Sequence, residues 1–262
     1  MKKERIVIKV GTTTLTHESG RTNFREIDTL VRVIADLQNQ GYLMTLVSSG
    51  AIGIGTGKLG LSSKPKDISG KQAASTVGQC ELMFMYDKMF SEYGQKVGQL
   101  LITKEDVEHK TRKANLISAM ERLFDWGVIP IINENDAVAI EEIVYGDNDN
   151  LSAIVARLIG ASKLIILTDI DGLYDSNPKT NKDAKLISEV DVITPEITAL
   201  AKDSGSDLGT GGMITKLQAA KLACDAGIDT YVINGHPVDN IYQVLEGDNP
   251  GTWFKAVKNN VE

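Results

Sequence analysis

Aromatic residues are scarce: Phe, Trp and Tyr together supply 5% of the 262 residues, within an apolar content of 42%. The core must therefore come mostly from Val, Ile, Leu and Ala, as in α/β proteins whose parallel sheets are buried on both faces. Cysteine is rarer still. Cys80 and Cys224 stand alone and fit no metal spacing, which suits a reducing cytoplasm. His17, His109 and His236 show no ligand pattern, so no zinc site is expected. Basic residues are in deficit, 28 Lys and Arg against 35 Asp and Glu, for a net charge of −7. Nucleic acid would want a basic face, so it is not the expected partner, and an anionic substrate would need a local basic site. Long apolar runs are missing as well. The opening MKKERIVIKVG is interrupted at Lys9 and reads as neither a signal peptide nor a membrane span. A cytoplasmic protein without a membrane partner is expected. No repeat or low-complexity linker interrupts the alternation of strands and helices, which predicts one doubly wound domain.

What is present centres on residues 129–156. The apolar run Val128–Ile132 predicts a buried strand, and Asn133, Glu134, Asn135 and Asp136 follow it at once. Ligands of open α/β sheets bind at the carboxyl ends of strands. Ala137–Tyr145 suits a hairpin, after which Gly146-Asp147-Asn148-Asp149-Asn150 leads into the helical spacing of LSAIVARLIG. Asn and Asp favour caps and turns, but two such clusters hold more of them than two caps need.

Other strands also run into polar turns. Arg5–Val10 ends in Lys9 and Gly11-Thr12-Thr13-Thr14, where backbone N–H groups can meet an anion. Tyr42–Val47 is followed by Ser48–Gly57, expected to be a glycine-rich turn that lets a ligand approach the backbone. Inside it Gly55–Gly60 matches G-x-G-x-x-G, but eight residues beyond the apolar strand, so the strand-turn-helix context of a dinucleotide site is missing. Lys163–Leu167 leads into Thr168-Asp169-Ile170-Asp171-Gly172, whose D-x-D-G lacks the rest of a calcium loop. Ser204–Thr215 is a glycine turn before a helix from Met213, with Lys216 too far from Gly212 for a Walker A motif. A helix N-terminus still offers free N–H groups to phosphate.

The remaining segments predict helices over Phe24–Gln40, Lys71–Tyr93, Arg112–Asp125, Pro195–Lys202 and Asp239–Glu246, a lid-like stretch at Thr103–Lys110, and strands at Val97–Ile102, Leu186–Val190 and Thr230–Ile233. Gly251–Phe254 reads as a last edge strand, and the methionines of the long helix read as core filler. Lysines, glycine N–H donors and carboxylates without a Ser-His-Asp or Cys-His nucleophile suit phosphoryl transfer, which needs positioning and charge stabilisation more than covalent chemistry.

Lys9-Val10-Gly11-Thr12, Ser48-Ser49-Gly50-Ala51-Ile52, Ile132–Asp136, Gly146–Ser152, Leu167–Tyr174 and Gly209–Lys216 resemble the motifs of the amino acid kinase family. The INENDAV and YGDND segments resemble the branch that phosphorylates the γ-carboxylate of L-glutamate, the first step of proline biosynthesis. The resemblance implies a three-layer α/β/α sandwich with a mostly parallel sheet. It implies one domain over 1–262, with 1–160 mainly the glutamate-binding half and 161–262 mainly the ATP-binding half. Lys9 and Lys216 are expected to stabilise the transferred phosphoryl group, with Asp149 organising both. Ser49, Gly50, Asn133, Asp136 and Asn148 are expected at glutamate. Lys9, Gly11, Thr168, Asp169, Thr210, Gly211, Gly212, Met213, Ile214, Thr215 and Lys216 are expected at ATP. Mg²⁺ is expected to travel with the nucleotide rather than in a protein cage. The resemblance further implies a homo-oligomer, dimer or tetramer, and proline as feedback inhibitor. Relatives often carry a further C-terminal RNA-modification-type (PUA) domain, and a short form without it is expected. The rival expectations are a relative acting on another acid, a non-catalytic sensor of glutamate or proline, and a dinucleotide-dependent oxidoreductase.

Overall fold

The computed structural model describes residues 3–17, 21–138, 148–203 and 212–257. In chain order these form β1 (Arg5–Val10), α1 (Thr12–Leu15), α2 (Phe24–Asn39), β2 (Leu43–Ser48), α3 (Ala51–Lys58), α4 (Ile68–Glu92), β3 (Lys96–Ile102), α5 (Lys104–Glu108) and α6 (Lys110–Asp125). They continue as β4 (Val128–Glu134), α7 (Asn148–Ile159), β5 (Lys163–Thr168), β6 (Glu189–Val190), α8 (Pro195–Asp203), α9 (Met213–Cys224), β7 (Asp229–Asn234), α10 (Asn240–Glu246) and β8 (Thr252–Phe254). The strand order is β3-β4-β2-β1-β5-β7-β8-β6. The eight-stranded sheet is mostly parallel and covered by helices on both sides, the three-layer architecture expected from the sequence.

The chain divides into two compact units, one of residues 1–9 and 145–262 and the other of Val10–Val144. In the first, β5 pairs in parallel with β1 and β7, from Lys163 opposite Asp229 to Thr168 opposite Asn234. The β-branched and Leu side chains of RIVIKV and KLIILT are buried on both faces, so these strands read as continuous apolar runs. In the second unit β4 pairs in parallel with β2 and β3. Helix α2 starts where the Asn23 side chain accepts from Glu26 N, and it buries Ile27, Leu30, Val31 and Ile34 on its apolar stripe.

Several expectations change. Ser48–Gly57 is not a glycine-rich turn: the turn is confined to Ser49 and Gly50, and α3 follows immediately. Gly50 has φ +96°, a left-handed conformation that favours glycine. Of the glycines that follow, Gly55 serves helix packing. A Cβ on Gly55 would lie 1.8 Å from the Ala74 carbonyl oxygen, and one on Gly78 would lie 1.7 Å from that of Ala51. Helices α3 and α4 thus touch backbone to backbone at Gly55 and Gly78, and the G-x-G-x-x-G pattern runs along the end of α3 and just past it, not in a strand-turn-helix phosphate loop. The lid-like stretch holds α5, whose start is fixed by Thr103 N and Oγ1 donating to Asp106 Oδ2 at 2.8 and 2.7 Å. Helix α4 begins at Ile68 because Asp67 accepts from Gly70 N. The strand expected over Leu186–Val190 shortens to Glu189–Val190. Thr252–Phe254 is not at the edge: β8 lies between β7, which it meets antiparallel, and β6, which it meets in parallel. The expected hairpin, apart from Ala137 and Val138, and most of the glycine turn before Gly212 lie outside the described residues.

Candidate active site

In the unit of residues 1–9 and 145–262, three charged side chains meet. Lys9 is the next-to-last residue of β1, Asp149 the second residue of α7 and Lys216 the fourth of α9. Lys9 Nζ is 2.7 Å from Asp149 Oδ1 and Lys216 Nζ is 3.2 Å from Asp149 Oδ2. Thr215 Oγ1 also donates to Asp149 Oδ2, at 2.9 Å. Asp149 is 0% exposed, Lys9 4% and Lys216 5%. Asp149 sits in the first turn of α7, where the positive end of the helix dipole favours a carboxylate. Ser152 Oγ, one turn on, donates to its main-chain oxygen.

Buried ion pairs are costly, because desolvation offsets much of the Coulomb attraction. Two ammonium groups around one carboxylate sum to one positive charge. Such a cluster holds a positive charge ready for an anion, with each lysine fixed by one oxygen of the same carboxyl group. Helix α9, which carries Lys216, has Gly212 as N-cap and no side-chain cap, and helix N-termini are ready sites for phosphate. Met213 is buried and Ile214 half-buried in that first turn. Thr168 ends β5, and its hydroxyl donates to Asp169 Oδ1 at 3.2 Å. The carboxylate of Asp171, the residue behind the calcium alternative, accepts from Asn234 Nδ2 and Tyr174 Oη, both at 2.8 Å.

The Val10–Val144 unit carries the other expected residues at the ends of β2 and β4. Ser49 N donates to the Val10 carbonyl at 3.2 Å, and Gly50 turns the chain into α3. Gly11 is the N-cap of α1 in ordinary extended conformation. At the end of β4, Asn133 Nδ2 donates to Gln79 Oε1 at 2.9 Å, and Asn133 Oδ1 accepts from Glu134 N at 2.9 Å. Ser75 Oγ donates to Asp136 Oδ2 at 2.5 Å. Burial raises the carboxyl pKa of Asp136, opposed by the Ser75 hydrogen bond. Burial, helped by the neighbouring Asp136 charge, pushes Glu134 up to about 7.

The structure thus brings Lys9, Asp149, Thr215 and Lys216 together, and it ties Asn133 and Asp136 to one face of α4. Asn148 opens α7 beside Asp149. Thr210 and Gly211 lie outside the described residues. Sequence reasoning did not single out Ser75 or Gln79, and it gave Glu134 no role beyond its place in the polar cluster Asn133–Asp136. The available signal for Ser75 and Gln79 was their spacing of four, which puts two polar residues on one face of the long helix.

Residues 4–234 match the amino acid kinase family, and the chain belongs to that family. Among its relatives is the glutamate 5-kinase of Clostridium tetani, 53% identical over 253 residues that cover 97% of this chain and 95% of that protein. The glutamate 5-kinase of Clostridium acetobutylicum is 55% identical over 250 residues, covering 95% and 94%. The fold is also that of UMP kinase from Ureaplasma parvum, with TM-score 0.66, 19% identity and coverage of 97% of this chain and 100% of that one. Carbamate kinase from Giardia lamblia bound to AMP-PNP superposes with TM-score 0.67 at 16% identity, covering 98% and 99%.

Proposed function

We propose that this chain transfers the γ-phosphoryl group of ATP to the γ-carboxylate of L-glutamate, giving γ-glutamyl 5-phosphate, the first step of proline biosynthesis. The observation that carries the chemistry is Asp149 bridging two buried lysines, in a chain 53% identical to a glutamate 5-kinase. A glutamate carboxylate is ionised at neutral pH, so the reaction needs no general base. Its oxygen attacks the γ-phosphorus in line, the bond to the bridging oxygen breaks, and ADP leaves with the electron pair. The difficulty is bringing one anion against another. Lys9 and Lys216, held in place by Asp149, neutralise the oxygens of the transferred group where charge is greatest.

Thr168, Asp169 and the stretch Thr210–Lys216 hold the nucleotide, with the N-terminus of α9 at its phosphates, and Gly11 lets the backbone come close. Ser49, Gly50, Asn133, Asp136 and Asn148 hold the amino acid, Asp136 taking its α-ammonium group. Residues 1–160 thus mainly serve glutamate and 161–262 mainly ATP. Mg²⁺ keeps several waters and binds substrate phosphates rather than protein cages, so it enters with ATP. Among the described residues no group of three or more His, Cys, Asp or Glu is placed to hold a metal. The likeness to glutamate kinases also supports proline as a competitor of glutamate and assembly into a dimer or tetramer. A cytoplasmic location follows from the same reading. Among the described residues no helix is long and apolar enough to cross a membrane.

The test is ATP-dependent hydroxamate formation from L-glutamate and hydroxylamine, with aspartate and N-acetylglutamate in parallel. Signal with glutamate alone supports the substrate and the acyl phosphate together. Signal with another acid alone keeps the chemistry and moves the specificity.

A further inference from the structure

Helix α4 supplies side chains to the polar ends of both neighbouring strands. With 3.6 residues per turn, Ser75, Gln79 and Tyr86 share one face of α4. Tyr86 Oη lies 2.9 Å from Ser48 Oγ at the end of β2. Gln79 reaches Asn133 near the end of β4, and Ser75 reaches Asp136 two residues beyond that strand. Ser75 and Gln79 are 4% and 8% exposed. Buried polar groups need partners in any fold, so pairing alone could be only structural. Two features go further. Asn133 Oδ1 accepts from Glu134 N, so its Nδ2 must face Gln79, and the amide is fixed at both ends. The partner of Ser75 is a carboxylate that burial pushes toward its neutral form. A hydroxyl donating to that carboxylate favours the ionised state, the state that binds an ammonium group.

We propose that Ser75 and Gln79 are positioning residues of the amino-acid pocket, Ser75 fixing the Asp136 carboxylate for the substrate's α-ammonium group and Gln79 fixing the Asn133 amide beside it. The inference rests on the reading that Asp136 receives that ammonium group. It separates residues that touch the amino acid from the helix that sets their geometry, and it makes α4 a determinant of specificity.

The experiment compares L-glutamate with glutarate, the same diacid without the amino group, in the full-length chain with MgATP. Glutarate is followed as a substrate or as a competitive inhibitor. Ser75→Ala is expected to lower kcat/KM for L-glutamate roughly ten- to a hundred-fold, the loss of one hydrogen bond to a charged group. Glutarate should change little, and the KM for ATP should not move. Ser75→Thr, which keeps the hydroxyl, should recover most of the loss. Gln79→Met should raise the KM for glutamate and leave that for ATP in place. If Ser75→Ala does not fold by circular dichroism, Ser75→Cys, a weaker donor of similar size, carries the same comparison. Equal losses on glutamate and glutarate, or no loss on either, overturn the inference while the wild-type preference for glutamate stands. A wild-type protein that uses neither acid overturns the underlying reading, and the inference with it.

Discussion

Asp149 meets a different lysine with each of its carboxylate oxygens, so Asp149→Asn removes the charge from both pairs at once. The two ammonium groups are then left to repel each other in a buried site. Turnover should fall by roughly 10²-fold or more, the scale of losing a preorganised electrostatic contact, with an unchanged circular dichroism spectrum. Lys9→Ala and Lys216→Ala should each lower kcat by roughly 10²–10³. Near-normal turnover in either folded variant would remove that lysine from the chemistry. Glu134 makes a separate prediction. Burial and the Asp136 charge raise its pKa to about 7 from 4.5, so the native state keeps a proton that the unfolded state releases. Its stabilising effect is complete below the unfolded value and is lost as pH rises through 7. Glu134→Gln should therefore raise the melting temperature of the ligand-free protein at pH 8 relative to wild type, and not at pH 4. An equal rise at both values would contradict the assignment.

The contact of α3 with α4 depends on hydrogen atoms at Gly55 and Gly78. A Cβ on Gly55 meets a main-chain carbonyl at 1.8 Å, which no rotamer change relieves. Gly55→Ala should therefore cost at least the roughly 1–3 kcal/mol typical of overpacking, seen as a lower denaturant midpoint. An unchanged midpoint would mean that the helices separate without cost. Glycine also explains why α3 was illegible: Gly53, Gly55 and Gly57 lower helix propensity, and the close approach that demands Gly55 is visible only once α4 is beside it. Helix α2 was legible because its cap and apolar stripe are local. Strand β8 was legible as a strand but not in its place, since three residues carry no record of their neighbours.

Across the molecule the alternation of apolar strands and amphipathic helices was enough to reveal a mostly parallel α/β sheet, because burial on both faces leaves continuous Val, Ile and Leu runs. Lys9, Asp149 and Lys216 were visible as charges at the ends of elements, and their motifs carried the resemblance that gave them roles. The bridge itself, in which one carboxylate holds two lysines more than sixty and more than a hundred residues apart in sequence, depends on the strand order and on α7 and α9. Ser75 and Gln79 showed only their spacing of four, because a polar residue on a helix face gains meaning only from the strand end opposite it. The central claim is that a glutamate carboxylate oxygen attacks ATP. Its most direct test labels the γ-carboxylate of L-glutamate with ¹⁸O and traps the product with hydroxylamine, which attacks the carbonyl carbon and releases phosphate. The account predicts one ¹⁸O atom in each phosphate released with the hydroxamate. Phosphate without label, formed at the same rate when glutamate is omitted, would contradict it.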